Sequence, residues 1–158
     1  MLQKFPITPK GYKKMQEELE RFLKVERPKN IREIEEARAH GDLSENAEYD
    51  AAKARQSFIE GRIMELKQKV ALAQVIDPSR INQSKAAFGA TVKVLDTEAE
   101  EEYVFTLVGV EEADAKQGRI SISSPVGRAL LGKEAGDTVT IKAPARTIEY
   151  EIIEVSFA

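Results

Sequence analysis

The sequence predicts an α+β chain: an N-terminal antiparallel α-helical coiled-coil hairpin, then a small globular domain. Three observations predict it. Apolar residues recur at helical spacing through the first half. Strand-like alternation replaces that period in the second half. A short acidic stretch, "HGDLSENAEY" at residues 40–49, joins the two helical runs.

The first helix opens at "ITPKGYKKMQEEL", with Thr8 as N-cap and Pro9 at the first helical position, where a missing N–H costs nothing. Ile7 and Tyr12 occupy the two places of a hydrophobic staple. Tyr12, Met15, Leu19 and Phe22 form a 3-4-3 stripe, which resumes at Ile31 and Ile34 and fades into Ala37. Pro28 interrupts it, and a proline inside a helix removes one hydrogen bond and usually kinks it. No turn cluster accompanies this proline, so the reading is one kinked helix rather than two. A helix over residues 9 to 40 would be about 48 Å long at about 1.5 Å per residue.

The second helix carries Ile59, Ile63, Leu66, Val70 and Ala73 at heptad spacing. Ala47, Ala51, Ala52 and Ala54 precede them and permit close packing. Two narrow stripes joined by a short turn make an antiparallel hairpin over residues 1–77, with its acidic tip at 41–46. Polar residues and a proline around 77–85 mark the boundary. Residues 78–158 follow, with five strand-like stretches: "ATVKVL", "YVFTLV", "RISIS", "DTVTIK" and "TIEYEIIEV". One helix interrupts them at "SPVGRALLG", capped by Ser124, opened by Pro125 and stopped by Gly132.

Bulk composition removes several function classes. The absence of cysteine excludes disulfides and cysteine-based zinc sites, and a single histidine, His40, argues against a histidine-based one. No apolar run reaches the roughly 18 residues of a membrane span, and the start lacks a signal peptide's apolar core, so a cytoplasmic location is expected. Residues 1–77 carry 15 Lys and Arg against 14 Asp and Glu, a net of +1. Residues 78–158 carry 9 against 13, a net of −4. Neither half has the basic excess of a protein that binds nucleic acid through bulk charge.

The tip supports two readings. In one, Gly41 ends the first helix and Asp42 caps the second, with Glu45 completing a capping box. In the other, Asp42 and Glu45 share a hard cation. Mg²⁺ takes about six oxygens, and two carboxylates supply only part of that shell. Such a pair completes a site that another molecule begins. Arg38, Lys53, Arg55 and Arg62 flank the tip or the start of the second helix, either as solvated ion-paired faces or, for Arg38, Lys53 and Arg55, as a modest phosphate-contacting patch. His40 is a phosphate donor or a surface residue, and Tyr49 a packing or stacking residue. The exposed Ser-Pro turn of "SISSPVGRALLGK" shapes the fold and offers a docking surface.

"EARAHGDLSENAEYDAAKARQ" resembles the tip signature of the Gre family of bacterial transcript cleavage factors, which act in transcription elongation. "FGATVKVL", "LVGVEEAD", "ISISSPVGRALLGKEAGDTV" and "YEIIEV" resemble the rest of that family in order, so the resemblance spans essentially the whole chain. It implies an FKBP-like globular domain that docks on the rim of RNA polymerase's secondary channel, and a coiled coil inserted towards the active site. It implies that Asp42 and Glu45 help the polymerase hold a Mg²⁺ ion that activates water against backtracked RNA, leaving a new 3′ end. The chain would then be a monomeric cofactor of the polymerase and no enzyme by itself. Arg38, Lys53 and Arg55 would contact the extruded RNA, and the modest patch matches the less basic branch of the family. Ser44 and Asn46 would shape the tip or touch the polymerase, and Ser123, Ser124 and Pro125 would meet its rim. Where many members have a Pro-Gly-Gly-like turn, this chain has Pro144-Ala145-Arg146. The competing readings are a channel-plugging inhibitor without cleavage and a prolyl isomerase, whose pocket would need Phe88, Tyr103, Phe105, Tyr150 and Phe157.

Overall fold

A computed structural model describes residues 3–41 and 46–157. In chain order the elements are β1 (Phe5–Ile7), α1 (Pro9–Arg21), a π turn (Phe22–Glu26), α2 (Arg27–Ala39), α3 (Ala47–Leu72), β2 (Ala73–Val75), β3 (Ala90–Asp96), β4 (Glu101–Val108), β5 (Arg119–Ser121), α4 (Pro125–Leu130), β6 (Thr138–Lys142) and β7 (Thr147–Phe157). The architecture is α+β. Two compact units divide the chain: Tyr12–Ala73 in one, Gln3–Gly11 with the residues from Gln74 on in the other.

In the helical unit, α1, the π turn and α2 follow without a break, and Arg27 N–H donates to the Phe22 carbonyl five residues back. An ordinary helix would place the ring of Pro28 against the carbonyl of Lys24. The wider turn just before the proline accommodates both the ring and the lost donor. It also corrects the predicted stripe. The buried residues are Met15, Phe22, Asn30, Ile34 and Ala37, whereas Ile31 is 46% exposed. Phe22 to Asn30 spans eight residues, one too many for two ordinary turns, and the π turn absorbs the extra one.

The partner helix α3 buries Ala52, Ile59, Ile63 and Leu66. Cross-links establish the antiparallel pairing. Asn30 Nδ2 donates to the Ala52 carbonyl at 3.0 Å. Arg27 forms a bidentate pair with Glu60, Nε–Oε2 2.9 Å and Nη2–Oε1 2.7 Å. Arg62 pairs with Glu18 at 2.9 Å. Buried Asn30 reaches the close-packed alanine stretch of α3, where a polar seam residue fixes register.

In the other unit, five strands form one sheet of order β5-β4-β3-β7-β6, antiparallel except for β4 with β5. β3 is central and alternates buried and half-buried residues, as a strand flanked on both sides must. Ala90, Val92, Val94, Leu107, Val139, Ile141 and Ile152 form the core with Leu130 of α4. The "RISIS" strand is shorter than expected, ending at Ser121 because the Ser-Pro turn begins there. The chain start joins this unit rather than the hairpin. Glu112 accepts from Thr8 N at 2.7 Å and from Thr8 Oγ1 at 2.6 Å, while Thr8 Oγ1 caps Gly11 N at 3.1 Å.

Asp96 closes one end of the sheet. Its side chain is 1% exposed, and Oδ1 accepts from the N–H groups of Glu98 and Ala99. Oδ2 takes Arg146 Nη2 at 2.9 Å, which ties the β3–β4 turn to the Pro144-Ala145-Arg146 turn. Arg146 first, then the Ala99 N–H, holds the Asp96 carboxyl below the usual aspartate range. A carboxyl whose pKa is depressed on folding stabilises the fold above its unfolded value near about 3.9, and loses that contribution as pH falls through the folded value. Thermal melts titrated into acid should show the midpoint falling below about pH 4, less steeply in Arg146→Ala, whose neutral-pH melting point is already lower by several degrees. Identical acid limbs in the two proteins would remove Asp96 from this role.

Candidate functional site

The closed end of the hairpin is built by helix termini. α2 ends at Ala39 with His40 as its C-cap, and Gly41 follows at φ +102°, the left-handed setting that suits glycine after a helix. Asp42, Ser44 and Glu45 lie outside the described residues. α3 starts at Ala47, and its N-cap is Asn46, whose Oδ1 accepts from Tyr49 N at 3.0 Å. This corrects the capping-box expectation: the capping acceptor is Asn46, one residue beyond the stretch assigned to Asp42 and Glu45. Asn is among the best N-cap residues, and Glu48 and Asp50 in the first turn suit the positive end of the helix.

Asn46 also reaches across the hairpin. Its Nδ2 donates at 2.6 Å to the Ala37 carbonyl, which also accepts from the His40 N–H at 3.2 Å. One amide therefore ties the last turn of α2 to the first turn of α3. Beside it, His40 Nδ1 lies 3.0 Å from Glu48 Oε2. Asn46→Ala should lower hairpin stability by about 1–2 kcal/mol in urea melts monitored by helical circular dichroism. An unchanged midpoint would show that the amide ties nothing.

The basic residues do not form one patch. Lys53 and Arg55, two apart on α3, face different directions. Arg55 turns to the groove side, where its Nη2 meets Glu26 Oε2 at 2.8 Å. That hydrogen bond is the main cause holding the Glu26 carboxyl below the usual range. Arg55 shares an open groove of about 360 Å³ with Glu33, Glu36, His40 and Glu48, over a floor of alanines. Lys53 donates to Gln56 at 2.8 Å and has no carboxylate partner among the described residues. Exposed Arg38 likewise makes no ion pair there. Arg62 pairs with Glu18 and Glu65.

In the β-rich unit, Ser123, Ser124 and Pro125 make the turn from β5 into α4. Ser124 Oγ accepts from Gly127 N at 3.1 Å and donates to the Ser121 carbonyl at 2.7 Å. Ser121 and Ser123 hydroxyls meet at 2.7 Å. Pro125 borders an apolar hollow of about 460 Å³ that also includes Ile120, Ile141 and Ile148. Tyr103, Phe105 and Tyr150 pack on one another instead, with centroids 5.8–6.2 Å apart.

Among the described residues, no group of three or more His, Asp or Glu is placed to hold a metal ion, and no helix is long and apolar enough to cross a membrane. Residues 5–75 match the family described as "Transcription elongation factor, N-terminal", and residues 81–157 match "Transcription elongation factor, GreA/GreB, C-term". The chain is 64% identical over 157 residues to transcription elongation factor GreA of Thermodesulfovibrio yellowstonii, covering 99% of each. It is 55% identical over 157 residues to GreA of Pelobacter propionicus, again covering 99% of each. Among solved structures, the GreA factor homolog of Thermus thermophilus aligns at 25% identity with a TM-score of 0.44, covering 97% of this chain and 99% of that one. The two profiles and the full-length identities place this chain in the GreA/GreB family of transcription elongation factors.

Proposed function

We propose that the chain binds bacterial RNA polymerase and stimulates the polymerase's own Mg²⁺-dependent cleavage of backtracked RNA, rescuing arrested elongation complexes. The observation that carries this reading is the placement of the "HGDLSENAEY" stretch at the closed end of a two-helix hairpin, with the capping acceptor supplied by Asn46. Asp42 and Glu45 are thereby relieved of the N-cap role and can act as ligands. Two carboxylates three residues apart supply two of the roughly six oxygens that Mg²⁺ takes, which fits a shared ion rather than a resident one. When held there, the ion supplies an activated water and charge neutralisation at the scissile phosphate.

The roles of this chain's residues follow. The hairpin enters the secondary channel and carries Asp42 and Glu45 to the polymerase active site. Asn46 sets where the stretch leaves α3. Arg38 and Lys53, the flanking cations without carboxylate partners among the described residues, face the phosphates of the extruded RNA 3′ segment. Arg55, bound to Glu26, contributes chiefly to the hairpin. Ser123, Ser124 and Pro125 lie on the docking face that meets the rim of the channel. The chain acts as a monomer and as a cofactor of the polymerase's nuclease activity.

The test is a stalled, backtracked elongation complex with labelled RNA. Adding the chain with Mg²⁺ should release short 3′ fragments and leave an extendable RNA, while the chain alone leaves naked RNA intact. Slowed synthesis with no RNA shortening would replace this reading with that of a channel-plugging inhibitor.

A further inference from the structure

Phe58 of α3 stands on the outer surface of the hairpin, 59% exposed. It meets the buried Phe22 edge-on, with ring centroids 6.3 Å apart, and most of its surface stays in water. One carboxylate holds two guanidiniums beside this pair. Half-buried Glu26 takes Arg21 Nη1 on Oε1 at 3.2 Å and Arg55 Nη2 on Oε2 at 2.8 Å. Arg21 also lies over the Phe22 ring, 4.8 Å from its centroid. Arg55 precedes Phe58 by three residues, which puts both on one face of α3.

Two cations share one anion here, so the trio keeps a net positive charge. Each arginine gives Glu26 one guanidinium nitrogen and keeps further N–H donors, on side chains 52% and 46% exposed. The surface next to Phe58 is low. Ala54, Ser57 and Gly61 form an exposed ridge along the outward side of α3, with Phe58 on one flank and Lys53 on the other. A Cβ added to Gly61 would meet nothing within 4 Å, so this glycine stands where helix chemistry alone favours alanine. An exposed ring, oriented guanidiniums and a low approach are what a single nucleotide needs.

We propose that Phe58, Arg21 and Arg55 form a stacking site for one nucleotide of single-stranded RNA, with its base on the Phe58 ring and its phosphate at the guanidiniums. Resting on the function proposed above, the nucleotide belongs to the extruded RNA 3′ segment, which crosses the small-residue ridge from Lys53 to Phe58. Phe58 lies about three turns into α3, roughly 16 Å from Ala47 along the axis at about 1.5 Å per residue. A strand stacked as in a duplex, at about 3.4 Å per nucleotide, covers that distance in about five nucleotides. The site therefore discriminates by length. A segment of about two nucleotides stops short of Phe58, and a longer one gains a hold on it.

Titration of the isotopically labelled full-length chain with single-stranded hexa-adenylate RNA tests the site without polymerase. Amide shifts should centre on Phe58 and Gly61. Affinity should fall about tenfold in Phe58→Leu and in Arg21→Gln, while Phe58→Tyr, which keeps the ring, binds as wild type. Wild-type binding by Phe58→Leu overturns the proposal. So does an equal response to adenosine monophosphate, which would make this a site for free nucleotide. Stimulated cleavage supplies the second measurement. On complexes backtracked by about five nucleotides or more, Phe58→Leu should stimulate cleavage about tenfold less than wild type. On complexes backtracked by about two it should match wild type. No loss, or an equal loss on both complexes, overturns the site. Weaker polymerase binding by Phe58→Leu with unchanged RNA binding also overturns it and assigns the ring to a protein contact. If the wild-type chain binds the oligonucleotide through Phe58 yet stimulates no cleavage, the stacking site stands and the functional reading alone falls.

Discussion

Asp42→Ala and Glu45→Ala each lower stimulated RNA cleavage by about a hundredfold or more, the loss typical of removing one charged group from a metal or transition-state site. Binding to the polymerase should stay close to wild type, because the proposed docking residues Ser123, Ser124 and Pro125 lie far from the tip in the sequence. The hairpin also persists, since its second helix is capped by Asn46. Two readings therefore separate in one experiment. If the carboxylates served the helix start, the variants would lose helical stability and cleavage together. If they serve a shared ion, cleavage falls while the urea midpoint holds. Raising Mg²⁺ should partly restore the single variants and do less for the double one, because each retains one ligand. Full cleavage by both single variants would remove the carboxylates from the mechanism.

Gly127→Ala is the substitution with the largest expected effect on stability. A Cβ placed on Gly127 would lie 2.0 Å from the Ser121 carbonyl oxygen and 2.9 Å from its carbon. Both are backbone atoms of the β5–α4 junction and cannot swing aside as a side chain would. Relief requires α4 to move as a body. α4 is six residues long and contributes Leu130, 0% exposed, to the core. Displacing it opens the core and breaks the Ser124 cap, so the β-rich unit should lose about 3 kcal/mol or more. Gly61→Ala gives the opposite sign. Gly61 lies inside α3, its added Cβ meets nothing within 4 Å, and alanine there should stabilise the helix by about 0.5–1 kcal/mol. Denaturant melts of the two variants make a paired test. A Gly127→Ala protein as stable as wild type would show that α4 can shift freely.

Much of this was readable from local chemistry. Thr8 caps α1, Ser124 caps α4, and Gly132 follows the latter at φ +79°, each where its residue type predicts. The five strands of the main sheet announced themselves by alternation. What escaped has physical causes. Ile31 looked like core because a helical wheel assumes one period, and the π turn changes it midway. Asn46 was legible as a tip residue, but Asp42 offered an equally good capping pattern, and only the observed start of α3 decides between them. The split of Lys53 from Arg55 follows from helical geometry, yet the commitment of Arg55 to Glu26 depends on pairing residues 29 apart. Glu112 holding Thr8 joins residues 104 apart, and no local pattern announces it. Arg119 and Lys142 likewise come to line the same apolar hollow only once β5 and β6 are folded into one sheet.

The π turn also constrains how this protein can change in length. Each helical residue advances the chain by about 100° around its axis, so a single insertion or deletion anywhere in α1, α2 or α3 would swing everything beyond it off the seam. The turn at Phe22–Glu26 already carries the one surplus residue that the two-helix seam tolerates. Further changes in length would have to come as whole heptads, matched on both helices. Lineages that lengthen or shorten such a hairpin should thus do so in paired seven-residue steps, and the count of residues between Pro28 and Gly41 becomes as much a part of the working sequence as their identities.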